Sequence, residues 1–157
     1  NVGWLTAGPS TGSVAAGKAA RISVRADRSR VAEGNSSGTI AVTWASGSGK
    51  VAVSLTEERD PSVGRPSSSN PTCDNQTVQV RANVTDASGL RSVRLTWNGP
   101  NGSGSATMSR SSGSRWVAQM GPFTFGGNIT MRVTATDQRG NTATSSAGSA
   151  SSTPCPG

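Results

Sequence analysis

The sequence predicts an all-β chain: two antiparallel β-sandwich domains in tandem, the first incomplete on its N-terminal side. Three observations carry this. Apolar residues alternate with polar ones in several short runs; the clearest places Ile129, Met131, Val133 and Ala135 between Thr130, Arg132, Thr134 and Thr136. Successive side chains of a strand point to opposite faces, so such a run is a strand with one face buried. Clusters of Gly, Ser, Asn and Asp punctuate the runs, as at Asp137, Gly140 and Asn141, and supply turn geometry. Finally, 32% hydrophobic residues with 20 Gly and 8 Pro in 157 residues suit small β modules rather than one large core. The apolar residues are gathered into alternating runs, which sets the chain apart from a disordered one.

Trp4-Leu5-Thr6 opens the chain and Pro9 to Val14 turns it. Ala20, Ile22 and Val24 then alternate with Arg21, Ser23 and Arg25, and a polar loop runs through Asp27, Arg28, Glu33, Gly34 and Asn35. Ile40, Val42 and Trp44 share one strand face, Gly47-Ser48-Gly49 reads as a hairpin turn, and Val51, Val53 and Leu55 return. Three strands and a fragment do not close a sandwich, so residues 1–56 read as a partial domain whose open apolar face recruits a partner. Residues 57–72 carry Pro61, Pro66, a Ser run and Pro71, and read as a semi-extended linker.

Residues 73–157 form the second domain. Strands are expected around Val78 to Val84, Val93 to Trp97, Met108, Trp116 to Met120, Ile129 to Ala135 and Thr142 to Thr144. About seven short strands at regular spacing point to an immunoglobulin-like sandwich. Cys73 and Cys155 bracket this domain, and a disulfide between them would tie its ends together. Closing so long a loop stabilises by about 4 kcal/mol in the chain-entropy model, and a bridge implies an oxidising, extracytoplasmic compartment. A metal or redox role for the pair lacks both a close CxxC spacing and any His. No run approaches the roughly 20 apolar residues of a membrane span.

Two resemblances appear at this point. Trp4-Leu5-Thr6, Pro9-Ser10-Thr11-Gly12, Ile22 to Val24 and Gly38-Thr39-Ile40 resemble the C-terminal part of a BACON-type immunoglobulin-like domain. The early strands that precede the Trp-Leu pair in that family have no counterpart here. If the chain is cut inside this domain, by processing or self-cleavage, the upstream segment of the same protein would stay paired to it as β strands and complete it. Val84-Thr85-Asp86, Val93 to Trp97, Met120-Gly121-Pro122-Phe123 and Val133 to Asn141 resemble bacterial immunoglobulin-like modules of actinobacterial exported proteins. The resemblances imply an extracytoplasmic sensing or binding ectodomain, without catalysis, on a membrane-anchored regulator such as an anti-sigma factor, a sigma-type protein or a receptor kinase. The alternatives are a carbohydrate-binding accessory region of a secreted glycan-active enzyme, and a structural spacer or fibre subunit completed by partner strands.

The chemistry expected of the side chains is correspondingly plain. Acid-base work needs positioned titratable groups; with no His and no Tyr, eight carboxylates are the only candidates, and none has apolar flanks that would raise its pKa. No enzyme activity, cofactor or metal is expected. Asp86 and Asp137 read as turn-starting residues rather than calcium ligands. The net charge of +7 favours anionic partners, cell-wall glycan or another anionic polymer, although its scatter along the chain serves solubility equally well. An oxidising location argues against nucleic acid. Trp44, Trp97 and Trp116 share the parity of apolar neighbours and are expected in cores, which leaves Trp4 as a surface platform. Trp4, Arg81, Arg94 and Arg132 are the candidate ligand-binding residues.

Overall fold

The computed structural model describes residues 2–154. The chain is all-β with antiparallel ladders, and divides into two compact units, Asn1–Glu58 and Arg59–Gly157.

Unit 1 holds two ladders. β1 (Leu5–Gly8) pairs with β2 (Ser23–Ala26), and β3 (Gly34–Trp44) with β4 (Gly47–Glu57). A short 3₁₀ turn at Arg28–Arg30 starts on Asp27, whose Oδ1 accepts from the Ser29 N–H at 3.1 Å and from the Ser29 hydroxyl at 2.6 Å. The alternation of β3 and β4 puts Ile40, Val42, Trp44, Val51, Val53 and Leu55 on one face. Trp4, Leu5 and Val31 cover the part formed by Ile40, Val53 and Leu55. They close down over Gly38, where a Cβ would lie 2.8 Å from Leu5 Cδ2, so a larger residue would push the cover away. Trp44 and Val51, each 55% exposed, lie outside that cover.

Two expectations are thereby exchanged. Trp44, expected in a core, is open, while Trp4, expected as a surface platform, is only 7% exposed and belongs to the core of its unit. Alternation reports which face a side chain occupies; it does not report whether anything covers that face. The hairpin also turns earlier than expected, at Ala45 and Ser46. Gly47 and Gly49 belong to β4 and leave room for the Trp44 indole, which a Cβ on Gly47 would approach to 3.1 Å.

Unit 2 contains β5 (Ser62–Val63), β6 (Val78–Thr85), β7 (Leu90–Gly99), β8 (Gly102–Thr107), β9 (Ser109–Ser112), β10 (Arg115–Met120), β11 (Gly127–Asp137), β12 (Thr142–Thr144) and β13 (Gly148–Ser152). One sheet has the order β5-β6-β10-β9; the other has the order β12-β11-β7-β8, with β13 also on β11. Val80, Val84 and Met120 from the first sheet meet Val93, Leu95, Ile129, Met131 and Val133 from the second in one core, the layering of a β-sandwich. Burying a side chain of that kind contributes about 1.5–3 kcal/mol. Trp97 and Trp116 pack against this core as expected.

β11 supports two partners along one edge: β13 along Gly127 to Met131 and β12 along Thr134 to Thr136. The buried Ser145 fills the break at Val133. Its backbone N–H donates to Val133 O at 2.8 Å, and its hydroxyl accepts from the Val133 N–H at 3.0 Å. A side-chain hydroxyl thus stands in for a ladder carbonyl.

The segment expected to be a linker at 57–72 is instead largely built into unit 2 from Arg59 onward. Ser62 and Val63 pair with Thr85 and Val84, Ser67 and Arg81 exchange backbone hydrogen bonds at 3.0 and 2.9 Å, and Pro61, Pro66 and Pro71 are buried. Proline cannot donate to a ladder but suits a sheet edge, and that is where this strap runs. Glu57, at the other end of the expected linker, is buried in unit 1 and accepts from Arg28 Nε at 2.7 Å. Among the described residues no cysteine is free; Cys155, the expected partner of Cys73, lies outside the described residues.

Candidate functional site

The four candidate binding residues do not converge. Trp4 is occupied by the core of unit 1. Arg94 on β7 and Arg132 on β11 share the polar face of one sheet of unit 2, where Arg94 stands opposite Thr134 and Arg132 opposite Thr96. Both guanidiniums bond their own sheet: Arg94 Nη2 donates to Ser105 Oγ at 2.6 Å and Arg132 Nη1 to Ser145 O at 3.1 Å. Around them the face is hydroxyl-rich, with Thr134 and Thr144 in contact at 2.9 Å. Arg81 belongs to the other sheet, on β6.

Arg81 has different company. With Arg65, Ser67, Ala82, Asn83 and Arg115 it lines a pocket of about 120 Å³. The register explains the gathering. Arg115 on β10 lies directly opposite Asn83 on β6, and Arg81 opposite Val117, which makes Arg81 and Arg115 diagonal neighbours on one face. The strap brings the third guanidinium. The Gly64 N–H donates to Asn83 O at 2.8 Å, and a Cβ on Gly64 would lie 3.1 Å from that oxygen, so glycine lets the strap run close against β6. Two residues beyond Arg65, Ser67 locks onto Arg81. Arg65 is therefore held between two points where the strap bonds β6.

No ion pair involves Arg65, Arg81 or Arg115 among the described residues; Arg28 pairs with Glu57 and Arg30 with Asp27, both in unit 1. Unit 2 carries nine Arg against four Asp, a balance of +5, and no Lys. Neither a known protein family nor a curated protein sequence matches the chain. Its function must therefore be argued from its own residues.

The carboxylates are used elsewhere. Asp137, with no exposed surface, ends β11. Burial pushes its carboxyl up, but hydrogen bonds outweigh it: the Asn141 side chain donates to Oδ2 at 2.8 Å, and the N–H groups of Asn141 and Arg139 each donate to Oδ1 at 2.8 Å. The net effect holds the carboxyl below its ordinary value. Asp27 is held low chiefly by the Ser29 hydroxyl, against some desolvation, with help from the Ser29 N–H and the Arg30 charge. Asp86 accepts from the Ser88 N–H at 2.9 Å and the Ser88 hydroxyl at 2.6 Å, as a turn-starting Asp does. No group of three or more metal-ligating side chains forms among the described residues.

Arg65 and Arg115 were missed as site residues at the level of sequence. Arg115 could have been found, because it has the outward parity of Val117 and Gln119 beside the inward Trp116, Ala118 and Met120. Arg65 could not: nothing in a Pro- and Ser-rich stretch says that its neighbours Gly64 and Ser67 bond Asn83 and Arg81 of β6.

Proposed function

We propose that this chain is a non-catalytic, extracytoplasmic binding or sensing region of a membrane-anchored bacterial regulator, built from two immunoglobulin-like domains of which the first is partial. The observation that carries the reading is the pocket of Arg65, Arg81 and Arg115: three cations in one place without a carboxylate, in a chain whose Asp27, Asp86, Asp137 and Glu57 are committed to turns or an ion pair. Like charges placed together oppose folding unless something outside the chain offsets them. The strand order supports the fold assignment for unit 2. Immunoglobulin-like sandwiches carry strands A, B, E and D on one sheet and C, F and G on the other; β5, β6, β10 and β9 take the first set of places and β7, β11 and β13 the second.

The test is retention of the whole chain on purified actinobacterial cell envelopes, stripped of protein. Saturable retention that weakens with salt is expected; retention no greater than that of a neutral β-sandwich of similar size would reject the reading.

A second reading, a spacer completed by partner strands, is favoured by the uncovered part of the β3–β4 face around Trp44 and Val51. It predicts that added upstream sequence raises the stability of unit 1 and shields Trp44. A glycan-binding accessory region draws less support: the large aromatic side chains most exposed among the described residues, Trp44 and Phe125, lie one in each unit, so neither unit offers a pair of open rings for a sugar.

A further inference from the structure

The pocket on β6 also has a chemistry of its own. We infer that Arg65, Arg81 and Arg115 form a site for a tetrahedral oxyanion of the phosphate type, presented as a phosphate group of an envelope polymer; the second half of that statement rests on the binding role proposed above. The pocket, about 120 Å³, is of the size of a small anion and well below the roughly 300–1,000 Å³ of pockets that take drug-sized molecules. Its lining is mainly donors. Three guanidiniums present planar forks of N–H groups, and Ser67 and Asn83 add a hydroxyl and an amide. A planar carboxylate is satisfied by one such fork, whereas a phosphate has oxygens pointing in several directions and carries charge enough to face more than one arginine. The three arginines come from separate backbone positions, on the strap, β6 and β10, around one pocket. The strap is fastened on both sides of Arg65 by the hydrogen bonds of Gly64 and Ser67, which orders the site before any anion arrives.

The experiment is a titration of the isotopically labelled whole chain, followed by the NMR signals of its backbone and Arg Nε–H groups, with four probes: inorganic phosphate, acetate, oligo(glycerol phosphate) and a short single-stranded oligonucleotide. Shifts concentrated on residues 65–67, 81–83 and 115 are expected with phosphate and with oligo(glycerol phosphate), and little with acetate. Arg65→Gln, Arg81→Gln and Arg115→Gln should each weaken that binding about tenfold, the scale of a lost charge-assisted hydrogen-bond pair, while Arg91→Gln on the other sheet changes it by less than about twofold. All four arginines are exposed, so the variants should fold, and their thermal midpoints verify it.

Equal response to acetate and phosphate, shifts spread evenly over the arginines of unit 2, or indifference to the three substitutions would overturn the site. Tighter binding of the oligonucleotide than of oligo(glycerol phosphate) would overturn the envelope source. Envelope retention that survives all three substitutions refutes the site and leaves the binding role standing; phosphate binding without envelope retention does the reverse.

Discussion

Asp137 is buried yet ionised because three donors reach its two oxygens from the turn that follows it. Its carboxyl lies below the ordinary value of 3.8 in the folded chain. In acid the unfolded chain therefore takes up this proton first, so the stabilisation is complete above the unfolded pKa and disappears as pH falls through the folded one. Thermal midpoints of unit 2 measured from neutral pH down to about pH 2 should fall steeply at the acid end, and Asp137→Asn should lower the neutral value while flattening that fall. A parallel curve for the variant would mean that other groups set the acid limit. The two tryptophans of unit 1 separate just as cleanly. Trp4→Ala removes the largest side chain of a three-residue core and should cost about 3–5 kcal/mol, enough to unfold unit 1. Trp44→Ala should cost far less, because that ring is 55% exposed. Amide exchange, read separately for the two units, distinguishes these outcomes.

Among the elements, β7 and β8 show why a glycine can be fixed by its neighbour. Gly104 stands directly across from Trp97, and a Cβ there would overlap the indole. Gly104→Val should lower the stability of unit 2 by about 1–3 kcal/mol through overpacking, whereas the same change at Gly102, where φ is +99° but nothing stands within 4 Å, tests backbone strain alone. Chemical denaturation of both variants compares the two causes. The long strands of unit 2 were legible because one face of each is covered, so alternation and burial coincide from Val78 to Val84 and from Ile129 to Ala135, whereas β9, exposed along its whole length, carried no such signal. In unit 1 they coincide only near Trp4. The strap defeated sequence reading for a different reason: its prolines carry the composition of a linker, and their burial depends on β6 and β13, which lie outside the window. Ser145 illustrates the same limit, since a serine between two short strands gives no sign that its hydroxyl will complete a ladder.

For the whole molecule, the boundary between units falls between Glu58 and Arg59, ahead of the strap and not behind it. A fragment of residues 59–157 should keep the midpoint that unit 2 shows in the intact chain. A fragment of residues 73–157 loses the β5 pairing, the Ser67–Arg81 exchange and three buried prolines, and should melt several degrees lower or fail to fold; equal midpoints for the two fragments would show that the strap is dispensable. The site follows the same boundary, because Arg65 travels with the strap. The cations also divide along it. Lys18 and Lys50 both belong to unit 1, and every cation of unit 2 is an arginine. Reagents that acylate side-chain amines will therefore attach dyes or a solid support to the first body only, and the guanidiniums of the second come through that chemistry unmodified, ready to be assayed.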